Sequence, residues 1–386
     1  MTQNPESLAP IAPSPASIPT QSKTIENLKT AGRVIALIFS FFSILTYAAS
    51  LIVGPIMFYT TSDGLTVASR HLHQLPIDVF TLLEIPVPLG VSFGVLFAGM
   101  WVIFVLCFIV AGLTKGGFYR SFTDVLYKPI ALAKTNFLYL MPLVASGLLY
   151  ATIFITQVQE AHGVQTGSLN FPPKTSPYVI LLNLAFAPLN EEFAFRITTI
   201  GIPVAIALLI LFRTSPKLAG IKNKVGLILL TMFSPEMAKS KLGYRNVATN
   251  GLLHGITMPE WLLIFGSSFA FGAAHFLLGG GWDIGKVSTA FLAGFVFAIM
   301  YECYGAYADI LMHWFFNYHF TVLDMASTAY GGVMTAFGNL TEISALVGGV
   351  IIVIVFVIAS IVSVTNHFRR RPVTVNPAGL SPQATV

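Results

Sequence analysis

The sequence predicts an all-α, polytopic membrane protein with about eight transmembrane helices, and three observations carry that prediction. Of the 386 residues, 55% are hydrophobic and only 10% are charged, against about 25% charged in a soluble domain. The apolar residues gather in continuous runs long enough to cross about 30 Å of hydrocarbon as helices, without the period-2 alternation of barrel strands. The intervening loops differ in cation content, as the positive-inside rule requires of successive crossings. Hydrocarbon solvates no backbone group, so helices are the form such runs must take.

Residues 1–28, rich in Pro, Ser, Ala and Thr, read as a disordered N-terminal tail. The run 34–59 is too long for a signal-peptide core and lacks a cleavage site, so it is a retained first span. It opens an N-terminal three-helix transmembrane region, 29–175, whose other spans cover 89–113 and 137–156. The loop before the second span carries Asp63, Arg70, Asp78 and Glu84; the loop after it carries Lys115, Arg120, Lys128 and Lys134. A fourth apolar region, 178–212, contains Pro188, expected to kink the helix. The insert 213–257 follows, with Lys217, Lys222, Lys224, Lys239, Lys241 and Arg245. Within it, 225–233 is apolar but too short to span and reads as lying on the membrane surface. Spans five to seven fall at 261–278, 287–304 and 308–323. The segment 326–365 supplies an outer loop and the last span, 343–364, and 366–386 is a disordered C-terminal tail beginning near Arg369-Arg370-Arg371. Loop charge places both termini, and the loops 114–134 and 213–257, in the cytoplasm.

The formal net charge of +5 comes from cations flanking apolar runs, which implies a lipid bilayer as partner and no nucleic acid. Cys107 and Cys303 lie in apolar runs and read as core residues. There is no His-Glu-x-x-His zinc motif and no glycine-rich phosphate loop. Gly90-Val91-Ser92-Phe93-Gly94 fits a serine-nucleophile pattern, but that pattern needs a strand–turn–helix setting, which an apolar helix does not supply.

The informative residues are polar ones where lipid would not choose them. Asn190-Glu191-Glu192-Phe193-Ala194-Phe195-Arg196 places two carboxylates and an arginine inside the fourth apolar region, where each charge costs roughly 2.5–3.5 kcal/mol near the bilayer centre. The fifth span contains Phe271-Gly272-Ala273-Ala274-His275, and the seventh contains His313-Trp314-Phe315-Phe316-Asn317. Glu192 and Arg196, Phe271 and His275, and His313 and Asn317 are each four apart, so each pair shares a helix face. Three helices can therefore aim a carboxylate pair, a histidine and a histidine–asparagine pair into one cavity. A carboxylate with a histidine can activate water, and the second histidine with the amide can donate to an oxyanion. The reaction class is attack of water on a carbonyl, most simply peptide-bond hydrolysis. Glu302 and Asp309 read as interfacial, and His319 faces elsewhere on its helix.

Glu-Glu-x-x-x-Arg, Phe-x-x-x-His and His-x-x-x-Asn, each on its own apolar helix, resemble the CPBP family of intramembrane proteases. That family includes the type II CAAX prenyl endopeptidases and the abortive-infection proteins. The resemblance covers residues 176–325, a CPBP-like catalytic core, and includes the cadence from Phe291-Leu292-Ala293-Gly294-Phe295 through Tyr301 and Gly305. It implies an intramembrane endopeptidase acting on a membrane-associated, in some members prenylated, protein or peptide. Glu191 would be the water-activating glutamate, assisted by His275, with Glu192 and Arg196 completing the first motif and His313 and Asn317 stabilising the oxyanion. A glutamate-type, cofactor-free mechanism is expected; in a metal-dependent alternative, Glu191, His275 and His313 would hold a divalent ion such as zinc. Ile197 departs from the glycine the family often has there, and the 213–257 insert is long. The other readings are a non-proteolytic immunity or scaffold protein and a proton-coupled transporter, although no internal repeat is visible. A prokaryotic plasma membrane is the expected location. For Glu191 to meet His275, the first turns of the fifth span, from Trp261, are expected to project into the cytoplasm.

Overall fold

The structure, a computed structural model, describes residues 23–81, 83–127, 135–214, 223–278 and 280–369. Among them, seven helices are long and apolar enough to cross a membrane: Thr30–Thr60, Phe93–Leu113, Phe137–Ala161, Pro177–Ile210, Met258–Leu277, Lys286–Tyr304 and Gly332–Val362. The chain is therefore a helical, polytopic integral membrane protein. The remaining span read from the sequence corresponds to a composite helix made of Ala306–Trp314, Phe315–His319 and Phe320–Tyr330.

In chain order the first elements are α1 (Lys23–Thr60), α2 (Ser62–Ala68), β1 (His71–Val79), β2 (Leu83–Ser92), α3 (Phe93–Leu113), α4 (Phe118–Tyr127) and α5 (Phe137–Ala161). Next come α6 (Pro177–Glu192), a π-helical stretch Phe193–Gly201, and α7 (Ile202–Thr214). The insert folds into α8 (Lys224–Phe233), α9 (Pro235–Lys241), α10 (Val247–Asn250) and α11 (Leu252–Gly255). The last group is α12 (Met258–Leu277), α13 (Lys286–Tyr304), α14 (Ala306–Trp314), a second π-helical stretch Phe315–His319, α15 (Phe320–Tyr330) and α16 (Gly332–Arg369).

Two boundaries shift from the sequence reading. Helix α1 starts inside the segment read as a tail, whose first 22 residues lie outside the described residues, and α16 runs to Arg369. Residues 370–386 of the expected C-terminal tail also lie outside them. The apolar segment 225–233 packs one side inward, Leu227 against Leu208 of α7 and Ala238 of α9, and leaves Val225, Leu229 and Phe233 exposed on the other.

Polar side chains fasten the helix ends. The Asn136 amide donates to Ala111 O and Thr114 O, both at 2.8 Å, joining the end of α3 to the start of α5. Lys115 donates to Cys303 O at 3.2 Å, and Lys239 pairs with Glu302 at 3.3 Å. The two cation-rich loops thus meet at one end of the bundle. Gly305, at φ 103°, makes the tight α13–α14 turn there; a Cβ would come within 2.6 Å of Phe233 O. At the other end, the loop after α5 pairs with the α12–α13 loop through Gly167 and Trp282.

Two sequence expectations are corrected. Glu302 and Asp309, read as interfacial, are both fully buried, because α9 covers the first through Lys239 and the α6 motif covers the second. The first turns of α12 are covered by protein: Trp261 stacks on Phe295 at 6.3 Å, and Glu260 meets Lys239 of the insert at 2.9 Å. The segment 71–92 is an antiparallel hairpin, so the second span begins at Phe93. Ser92 does stand at a strand-to-helix junction, but its hydroxyl accepts the Val95 N–H and caps α3.

The hairpin runs beside α6, an unusual place for a sheet with two free edges, and its prolines explain how that is tolerated. Asp78 and Phe80 send their N–H groups outward, to Asn190 and Thr198. Pro76 shares that parity, and Pro86 and Pro88 stand opposite Pro76 and Gln74. Facing residues in an antiparallel ladder share one hydrogen-bonding state, so all three prolines fall where an N–H would point away from the partner strand. The ladder loses nothing, and the edges lose donors that lipid could not satisfy.

Candidate active site

The two π-helical stretches coincide with two of the three sequence motifs. One follows directly on Glu192 and contains Arg196; the other follows His313 and contains Asn317. Such widened turns are rare and concentrate at functional sites.

Arg196 is wholly buried between α6, α12 and α13. Its Nε lies 3.1 Å from Glu192 Oε2, and Nη2 donates to Gly294 O at 3.0 Å. The guanidinium sits 4.6 Å from the Phe271 ring centre. Gly294 makes this approach possible, since a Cβ there would stand 3.3 Å from Nη2 and 3.0 Å from Phe271. Gly272 does the same for α12 against α13, where a Cβ would meet Val287 O at 2.6 Å. The small residues noted in the sequence thus set the helix spacing around the site.

Glu192 joins two motifs. Its Oε1 accepts from His313 Nδ1 at 2.7 Å, which directs His313 Nε2 away from it. Asn317 Nδ2 lies 3.2 Å from that Nε2, and Glu191 Oε2 lies 3.8 Å from it. Phe297 stacks on the imidazole at 5.2 Å. The two glutamates differ sharply in access: the Glu192 side chain is 0% exposed, and the Glu191 side chain is 28% exposed.

His275 completes the set from α12. Its Nδ1 bonds Phe271 O at 2.8 Å. A carbonyl only accepts, so Nδ1 carries the proton and Nε2 keeps its lone pair. The ring centres of His275 and His313 lie 4.8 and 5.9 Å from that of Phe271. The structure therefore gathers Glu191, Glu192, Arg196, His275, His313 and Asn317 around the inner ends of α6 and α14. His319 points the other way, to Ser50 of α1 at 2.9 Å.

Residues the motifs did not flag also converge here. Asp309 lies with its carboxyl group against Glu192. The hairpin tip docks on the motif helix: Asn190 Nδ2 donates to Asp78 Oδ2 at 2.7 Å, and Asp78 N–H donates back to Asn190 Oδ1 at 2.9 Å. Burial moves the Asp78 carboxyl upward, with Asn190 opposing the shift and Glu84 adding to it. Phe80 N–H donates to Thr198 Oγ1 at 2.8 Å. Phe80 and Thr81 hold φ of 46° and 72°, left-handed values that cost a non-glycine residue roughly 1–2 kcal/mol each. Docking on the motif helix keeps the tip in that form. On the opposite side, Trp282 lies 6.4 Å from His275, and Lys286 Nζ lies 3.9 Å from the Trp282 ring centre. The i+4 rule alone could not find these residues, because they come from loops and from helix starts. Lys286 was visible only as a lone cation at the head of an apolar run.

Among the described residues, no three His, Cys, Asp or Glu side chains, Glu191, His275 and His313 included, converge as a metal ion requires.

Residues 173–319 match the family model described as type II CAAX prenyl endopeptidase Rce1-like. No curated protein and no solved structure matches the chain.

Proposed function

We propose that this chain, whose residues 173–319 match the type II CAAX prenyl endopeptidase family model, hydrolyses a peptide bond of a membrane-associated protein or peptide with water activated by Glu191 and His275. The observation that carries the proposal is the division of labour between adjacent glutamates. Glu192 is sealed between Arg196 and His313, whereas Glu191 is reachable and faces the same imidazole.

Glu191 takes a proton from water as the oxygen attacks the carbonyl carbon, and the His275 Nε2 lone pair helps hold that water. The developing oxyanion receives hydrogen bonds from the Asn317 amide and from His313 once its Nε2 is protonated. Glu191 stands 3.8 Å from that nitrogen, so the abstracted proton has a short route through it to the leaving amine. Glu192 accepts from Nδ1 throughout and stabilises the imidazolium, while Arg196 keeps Glu192 ionised. The scheme uses no cofactor. The family description makes prenylated C-termini the first substrates to assay. Loop charge supports cytoplasmic termini, and the proposed location is a prokaryotic plasma membrane.

The test is Glu191→Gln in purified protein in nanodiscs, assayed on an S-farnesylated peptide. The expected loss in kcat/KM is about 1,000-fold or more, with unchanged melting. Full activity in this variant overturns the assignment.

A further inference from the structure

We propose that Asp78 is a positioning residue: bonded to Asn190, it anchors the widened motif turn to the hairpin tip and so fixes the direction of Glu191. The inference rests on the endopeptidase reading and adds to it a residue that none of the three motifs contains.

The hairpin tip grips the motif on both flanks. Asn190, directly before Glu191, spends both ends of its amide on Asp78, accepting the N–H at 2.9 Å and donating to Oδ2 at 2.7 Å. Thr198, just beyond Arg196, accepts the Phe80 N–H at 2.8 Å. Between these points the Thr81 N–H lies 3.4 Å from Ala194 O. Glu191, Glu192 and Arg196 therefore fall inside a stretch whose two ends are held by one hairpin tip. Asp78 faces Glu84 across the ladder, so the anchor sits on the paired part of the hairpin rather than on its turn. Asp78 is also near enough for its charge to act on Glu191. An amide at position 78 would keep the bond and drop the charge.

The stretch needs holding because it is not an ordinary helix. Widened i→i+5 turns are rare, and the carbonyls they displace need other donors. Ala194 O is met by the Thr198 and Thr199 hydroxyls at 2.7 and 2.8 Å, and Phe195 O by the Ser267 hydroxyl of α12. Phe80 N–H, the Thr198 hydroxyl and Ala194 O form one relay from the tip into the widened turn. Closing that turn to i→i+4 bonds would rotate the helix on one side of it by about one residue, or about 100°. Either Glu192 would leave His313 and carry Glu191 with it, or Arg196 would leave Gly294 O. The tip in turn holds Phe80 and Thr81 in left-handed conformations, and strain of that kind persists where surrounding bonds over-determine it and clusters at functional sites.

The test measures kcat and KM on an S-farnesylated peptide in nanodiscs, per mole of folded protein, for wild type, Asp78→Ala, Asp78→Asn, Asn190→Asp and the double variant Asp78→Asn/Asn190→Asp. Asp78→Ala is expected to lower kcat by about 10- to 100-fold with KM nearly unchanged. Asp78→Asn, which can still accept from Asn190, should stay within about threefold of wild type. Asn190→Asp sets two carboxylates against each other and should lose as much as Asp78→Ala. The double variant, with the side-chain bond reversed, should recover most of that loss, a coupling of about 10-fold or more. Wild-type kcat in Asp78→Ala overturns the assignment and leaves the endopeptidase intact. Asp78→Asn falling as far as Asp78→Ala assigns the effect to charge and also overturns it, as does a double variant no better than Asn190→Asp. No cleavage by well-folded wild type removes the endopeptidase reading and this proposal with it.

Discussion

Two buried ion networks stand in this bundle, and they are built differently. In one, Lys239 of α9 sits between Glu260 of α12 and Glu302 of α13, at 2.9 and 3.3 Å. Neighbouring Glu236 accepts both the Val247 and Ala248 N–H groups, at 2.9 and 2.7 Å. This is a clamp that joins the insert to two spans. In the other, Arg196, Glu192 and His313 are joined in series, and Glu191 is left beside them. Both networks hold a carboxylate oxygen unbonded among the described residues, Glu191 Oε2 and Glu302 Oε1, but the Glu191 side chain is 28% exposed and that of Glu302 is 0% exposed. The difference teaches that charge inside a membrane is not by itself a mark of chemistry. The mark is a positioned group that a reacting molecule can reach.

That contrast can be broken by substitution. Lys239→Met leaves two carboxylates facing each other without a cation and is expected to destabilise the fold by about 3–5 kcal/mol. The decisive measurement is thermal unfolding in detergent, with specific activity of the surviving folded fraction preserved. Thr198→Val removes the acceptor for the Phe80 N–H and should cost about 1 kcal/mol, appearing as faster proteolysis at the hairpin tip. Glu191→Gln should change melting least, by less than about 1 kcal/mol and toward higher stability, despite having the largest effect on turnover. If it melts much earlier than wild type, Glu191 belongs with the clamp and the contrast fails.

The clamp should also carry a pH signature. Burial alone would depress the Lys239 ammonium, but Glu302 and Glu260 outweigh it, and its pKa lies above the ordinary 10.5. A base with a raised folded pKa contributes stability that is fully present below its unfolded value and is lost as pH rises through the folded one. Wild type should therefore lose melting temperature more steeply than Lys239→Met above about pH 10.5, and show no such difference at pH 7–9.

The sequence shows the spans and the three motifs because lipid makes both conspicuous. A run such as that of α3 has no competing interpretation, and a glutamate pair beside Arg196 stands out against apolar neighbours. Helical spacing then correctly puts Glu192 with Arg196 and His313 with Asn317 on shared faces. It could not show the tertiary bond from Glu192 to His313, or that α9 would fold back over Glu302. Asp309 was misread because proximity to a turn suggests exposure, whereas burial depends on what packs over it. The hairpin escaped notice because Pro76, Pro86 and Pro88 break the pattern of a strand. Only in register do they prove to be its edge treatment. The π-helical stretches leave no sequence trace that helix periodicity detects.

The hairpin also places a constraint on the order in which the molecule is completed. Its tip bonds partners 112 and 118 residues further along the chain, which at ordinary synthesis rates emerge about 6–24 s later. Until α6 arrives, Phe80 and Thr81 have nothing to hold their left-handed turn, and the prolines that suit the finished edges cannot recruit a substitute strand. Glu191 therefore enters the membrane in the same event that closes the wall beside it. A ribosome-bound chain carrying α1 to α5 has every element of that wall and no site for it to enclose.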